Sequence, residues 1–170
     1  MRILAMLALS VALAGCFSSE HPLYTEDRGQ CPFATSTTLE EVGETSERFT
    51  FVASGGYCEA TDGNGRVSRA LFVPIGAQWW IVQDDDEHPS YALIHREGSR
   101  LVEYLPKCNE FSADRLRRLG VTFDDRQEEC TANDARQIDT LFRSWRYRLF
   151  PKPVGSFRIL PAGAEAPITP

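Results

Sequence analysis

Between Arg48 and Cys108 the chain repeats one pattern: a short run of β-branched, aromatic or aliphatic residues, then a cluster that favours a turn. The runs cover 48–53, 56–61, 66–73, 79–83, 90–95 and 100–105. Between them stand Ser54-Gly55-Gly56, Asp62-Gly63-Asn64-Gly65, Pro74-Ile75-Gly76, Asp84 to Pro89, and Glu97-Gly98-Ser99. Gly, Asn and Asp tolerate the backbone conformations of tight hairpins, so consecutive antiparallel strands follow. Alternation puts Phe49 and Phe51 on one face, as it does Val67, Leu71 and Val73, and Leu101 and Leu105. Phe72, Trp80, Val82, Ile94, Val102 and Tyr104 fall on the opposite side. A sheet with one wet face alternates more cleanly than this, so a second layer must cover part of it.

Two amphipathic segments supply the expected cover. Ser112 stands as an N-cap before Leu116 and Leu119, and Gly120 ends the segment. Thr131 with Asp134 precedes Ile138, Leu141, Phe142, Trp145 and Leu149, which recur at helical spacing until Pro151. A further short strand fits Ser156 to Leu160. The expected fold is therefore α+β: an antiparallel meander of five to six strands covered by two helices.

The N-terminus carries a different signal. Arg2 precedes an apolar run from Ile3 to Ala14, interrupted by Ser10, and Leu13-Ala14-Gly15-Cys16 closes it before the polar Ser18-Ser19-Glu20. A membrane span needs about 20 apolar residues, more than this run offers. The four residues resemble the lipobox of bacterial lipoproteins. That resemblance covers only the first sixteen residues, and it implies cleavage after residue 15 and acylation of Cys16, which would hold the chain on a membrane. Phe17 stands where an aspartate would favour inner-membrane retention, so the resemblance points to the periplasmic face of the outer membrane.

Taking Cys16 out of the five cysteines leaves Cys31, Cys58, Cys108 and Cys130. An even number in an exported chain reads as two disulfides. Of the three connectivities, Cys31 with Cys58 and Cys108 with Cys130 closes the modest local loops. No Cys-x-x-Cys pair is present and His21, His88 and His95 are scattered, so neither a metal site nor a cofactor is expected. Removing the first 15 of 170 residues takes away one of 18 basic side chains and none of the 24 acidic ones, so the net charge of −6 becomes about −7. That balance excludes a nucleic-acid partner. The segments are then 1–15, a signal peptide; 16–47, a polar tether; 48–160, one domain, β-rich over 48–108 and helical over 109–150; and 161–170, a loose tail.

Few residues invite chemistry. Asp84-Asp85-Asp86-Glu87 lacks the alternating ligands and central glycine of a calcium loop and reads as a hairpin tip, and Asp62-Gly63-Asn64-Gly65 reads as a tight turn. No Gly-x-Ser-x-Gly elbow occurs, and His95 stands alone as a base, so no catalytic residue is assigned. Trp79 and Trp80 must point to opposite faces of one strand, which makes the pair the most binding-like feature. Arg143, Arg146 and Arg148 flank Trp145 and Tyr147 late in the second helix, where cations complement the helix dipole. Trp79, Trp80, Arg143 and Arg146 form the candidate contact surface. The functional expectation is a non-enzymatic, lipid-anchored binding or envelope-assembly accessory, held by Cys16 and meeting an envelope protein. Two alternatives are a small periplasmic hydrolase with an unrecognised site, which a cleft joining His95 to carboxylates would favour, and an inhibitor or immunity-type protein presenting its acidic hairpins to a basic enzyme.

Overall fold

The computed structural model describes residues 17–33, 35–43, 47–124, 128–148 and 151–161. Residues 1–15, expected as a signal peptide, together with Cys16, Leu149 and residues 162–170 of the expected tail, lie outside the described residues. Strands β1 (Phe17–Ser18), β2 (Thr37–Glu41), β3 (Arg48–Ser54), β4 (Tyr57–Asp62), β5 (Val67–Gly76), β6 (Trp79–Asp84), β7 (Tyr91–Glu97) and β8 (Arg100–Tyr104) come first. Helix α1 (Ala113–Leu119), strands β9 (Thr122–Asp124) and β10 (Glu129–Thr131), helix α2 (Ala135–Trp145) and strand β11 (Gly155–Ile159) follow.

The meander does not stop as an open sheet under helices. From β2 to β8 each strand pairs antiparallel with the next, and β11 pairs with both β8 and β2, which closes an eight-stranded barrel. The expected two-layer α+β architecture is thus corrected to a closed antiparallel barrel with two short helices and a small sheet ordered β1-β10-β9. The physical reason lies in the second apolar face. Cross-strand partners share a face, and the pairs Leu39 with Phe49, Phe51 with Ala60, Phe72 with Val82, Trp80 with Ile94, and Leu101 with Phe157 all point inward. The cover for that face is the opposite wall of the same sheet.

The helices cover only the outside of β5 to β8. Leu71, Val73, Ile81, Leu93 and Tyr104 pack there against Leu116 of α1, against Ile138, Leu141, Phe142 and Trp145 of α2, and against Phe17 and Cys130. Ser112 caps α1 by accepting from Arg115 N, and Gly120 ends it in the left-handed region at φ 75°. The cap of α2 is Asp134 rather than Thr131, because its carboxylate takes the first free N–H groups while the Gln137 side chain returns to the Asp134 N–H. Thr131 instead belongs to β10. Both disulfides form with the expected pairing, Cys31 to Cys58 and Cys108 to Cys130.

Several residues of the stretch expected as a polar tether are packed into the domain. Phe17 is fully buried, with its ring 5.6 Å from that of Phe111 and 5.3 Å from that of Phe142, both edge-on. Tyr24, Phe33 and Leu39 are buried as well. Truncating a buried phenylalanine loses both transfer free energy and packing, so Phe17→Ala is expected to lower the unfolding free energy by about 3–5 kcal/mol. Urea denaturation checks this, and a loss well under 1 kcal/mol would show Phe17 outside the core.

Candidate functional site

One end of the barrel is strapped. After a single 3-10 turn at Glu26–Arg28, the Gln30 N–H donates to the Phe72 carbonyl at 2.7 Å. The strap lies against the β3–β4 turn, where a side chain on Gly56 would collide with the Glu26 carbonyl and Gly56 N donates to Glu26 Oε1 at 3.3 Å. Cys31 is tied to Cys58, whose register places it among inward-facing residues, and Phe33 enters the barrel 5.4 Å from the Phe51 ring. Between the strap and the β5–β6 hairpin runs an open groove of about 570 Å³, lined by Pro32, Phe33, Ala53, Pro74, Gly76 and Trp80 among others.

The wall of that groove depends on a bulge. Pro74 pairs with Trp80 and Gly76 with Trp79, so Ile75 is the extra residue. Proline has no N–H to give a ladder and is at home at such an irregularity. Arg143 and Arg146 of the α2 end both donate to the Ile75 carbonyl, at 2.7 and 2.8 Å. A Cβ on Gly76 would fall on the Arg146 guanidinium, so glycine there lets the cation reach the groove edge. Arg146 Nη2 also donates to the Tyr147 hydroxyl at 2.6 Å, while its Nε is buried without a partner among the described residues.

The structure therefore brings Trp80, Arg143 and Arg146 to one hairpin and turns Trp79 to the other side of the wall. Trp79 stacks on His95 at 4.2 Å between centroids, with Tyr104 and then Trp145 beyond it. His95 sits on this outer surface with Nδ1 3.2 Å from Glu97 Oε1. At the opposite end of the barrel, Asp84 accepts from Ser90 N and Oγ at 2.9 and 2.6 Å, and Asp85 lies 3.6 Å from Arg69, so the acidic run closes a hairpin. Asp62 accepts from Asn64 N and Arg66 N, and these backbone hydrogen bonds hold its carboxyl below the usual range.

Sequence reasoning passed over Glu103. On β8 it alternates with Leu101, so it points into the lumen, opposite Gly155 of β11 and Ile94 of β7. It is 5% exposed and borders an internal cavity of about 40 Å³ with Ala60, Ala70, Ile94 and Phe157. That is room for two or three waters, at ~10–15 Å³ each. None of the described residues donates a hydrogen bond to its carboxylate. Burial, reinforced by the Glu41 carboxylate, pushes the Glu103 carboxyl from 4.5 up to about 7. The available signal was its shared face with Leu101 and Leu105, which becomes informative only once that face is known to be internal.

Fold and site together define a small closed antiparallel barrel with a strapped, aromatic groove at one end. No protein-family model, no curated protein and no solved structure matches the chain.

A carboxyl whose affinity for protons rises on folding makes the folded state take up a proton between the unfolded and folded values. Its contribution is thus most favourable below pH 4.5 and is lost as pH rises through about 7. The shift corresponds to about 3 kcal/mol. Glu103→Gln should accordingly be more stable than the parent at pH 8, by one to a few kcal/mol, with the difference vanishing near pH 4. Urea midpoints across that range check this, and a pH-independent difference would place Glu103 in water.

Proposed function

We propose that this protein is a lipid-anchored envelope protein that acts by binding, with the Trp80 groove as its contact site. The observation that carries the reading is the groove itself. Its volume of about 570 Å³ falls within the range of ligand sites, and its lining carries the Phe33 and Trp80 rings, with the Arg146 guanidinium lying behind Gly76. Aromatic residues and arginine are the types that dominate contact energies at protein interfaces. The walls are fixed beforehand by a disulfide and a bulge, so little ordering entropy remains to be lost on binding. An envelope protein partner fits this surface, and the acidic charge of the chain speaks against nucleic acid.

The anchor rests on Leu13-Ala14-Gly15-Cys16. Among the described residues no helix is long and apolar enough to cross a membrane. Acyl chains on Cys16 would supply the attachment, and the outer membrane's periplasmic face is the compartment that the lipobox reading favours. Cys16→Ala should abolish acyl labelling and release the protein from membranes, whereas continued tight membrane association refutes the anchor.

For the groove, crosslinking in intact envelopes followed by stringent capture should recover a defined partner with the parent protein. Trp80→Ala should lose that partner, while Val67→Ala, exposed at the other end of the barrel, should keep it. Equal recovery with Trp80→Ala at unchanged fold stability sinks the groove reading. Turnover of a model ester or glycan, lost on His95→Ala, would replace binding with hydrolysis.

A further inference from the structure

Among the described residues, Glu103 is the only charged side chain that the fold buries, and none of them donates a hydrogen bond to its carboxylate. The barrel makes room for the group. Gly155 stands opposite on β11, and a Cβ there would lie 3.0 Å from Glu103 Oε2, so glycine leaves the space that the carboxylate occupies. A buried carboxylate is costly unless a cation or hydrogen-bond donors meet it. We infer that the lumen is a second binding site, separate from the Trp80 groove, which takes the ammonium group of a short primary amine against Glu103.

The walls decide which kind of cation fits. Phe51, Ala60, Phe72, Val82, Ile94 and Phe157 are among the residues lining the cavity, and the only side-chain oxygens in that lining belong to Glu103 and Ser68. A calcium or magnesium ion wants about six or more oxygens, and among the described residues no cluster of His, Cys, Asp or Glu suits a metal. Waters alone would find few partners on walls of carbon. An alkylammonium matches both parts of the lining, with its N–H groups on the carboxylate and its hydrocarbon on the apolar side chains. The cavity of about 40 Å³ holds two or three atoms of roughly water size, which is the size of methylammonium or ethylammonium.

The surroundings of Glu103 favour a cation and supply none. Glu41 stands on the lumen face of β2 opposite Phe157, and its negative charge bears on Glu103. The other strands bring no charge to that carboxylate: β7 presents Ile94, β11 presents Gly155 and Phe157, and β4, β5 and β6 present Ala60, Ala70 and Val82. Arg69 borders the cavity, but its guanidinium lies on the outer wall, 4.2 Å over the Tyr57 ring, 3.7 Å from Glu59 and 3.6 Å from Asp85. Ser68 pairs with Ala60 on the lumen face and is exposed, which marks the side from which a ligand enters. The net charge of −6 draws cations rather than anions toward that opening.

NMR titration of isotope-labelled, full-length protein with ethylammonium chloride at pH 8 tests the site, with sodium chloride at equal ionic strength as the reference. For so small a ligand the affinity ceiling is a Kd on the order of 1 mM. Saturable shifts are expected at the methyl groups of Ala60, Ala70 and Ile94, and Glu103→Gln should weaken binding by about tenfold or more. Because the carboxylate is the binding form, the parent's affinity should fall about tenfold per unit as pH drops below about 7, while the amine stays charged. Ethanol, of similar size but uncharged, should leave those methyl signals unmoved. Shifts no different from those with sodium chloride, equal shifts with ethanol, or equal binding by Glu103→Gln with its fold intact overturn the site. The comparison of ligands on the parent protein needs no variant, so misfolding of Glu103→Gln would not mask the result.

Discussion

Everything in this domain depends on β11 reaching back across the chain to pair with β2. Its five residues satisfy the backbone of two edge strands at once and bring Phe157 against Phe49, with ring centroids 6.4 Å apart. Without that closure the inward residues of eight strands would face water. An open sheet would also present two unpaired edges, which a closed barrel abolishes. Burying a side chain such as Phe51 or Phe72 contributes about 1.5–3 kcal/mol, so the lumen is a large share of what makes the fold stable. The outer cluster is a second core on the same wall, and β5 to β8 are the strands buried on both sides.

Closure also explains what the sequence disclosed and what it hid. The six runs from Arg48 to Tyr104 were legible because glycine-rich turns separate them and each carries several apolar residues. Apolar groups on both faces were legible too, but their cause was not, since an opposite wall and a covering helix leave the same mark. Strand β2 reads Thr-Thr-Leu-Glu-Glu, with Leu39 its single apolar residue. Glu40 instead faces out to Arg48 at 2.9 Å and Arg158 at 3.7 Å. A polar strand held by ion pairs looks like a tether to any hydrophobicity argument. The same applies to β1, where Phe17 alone marks a buried strand. Disulfide pairing was readable because local loops close most easily.

The candidate site shows the same division. Trp80, Arg143 and Arg146 stood out as residue types, yet only the fold brings them together. Their meeting point is the carbonyl of Ile75, exposed to the guanidinium groups by a bulge at Pro74. Nothing local in the sequence links a proline in one strand to arginines seventy residues later. Glu103 was invisible for a related reason, as an acid within an alternating strand is ordinary until the face it shares is internal. The two ends of the barrel thus come to differ, one strapped and aromatic, the other carrying the Asp84–Glu87 run.

Barrel closure is most directly tested by backbone NOEs combined with hydrogen exchange on β11. The account predicts contacts from Phe157 to both Leu101 and Glu41, and slow exchange for the β11 amides that bond to β8 and β2. Fast exchange throughout Gly155–Ile159, or contacts to β8 alone, would contradict it, leaving an open sheet whose inner apolar face needs some other cover.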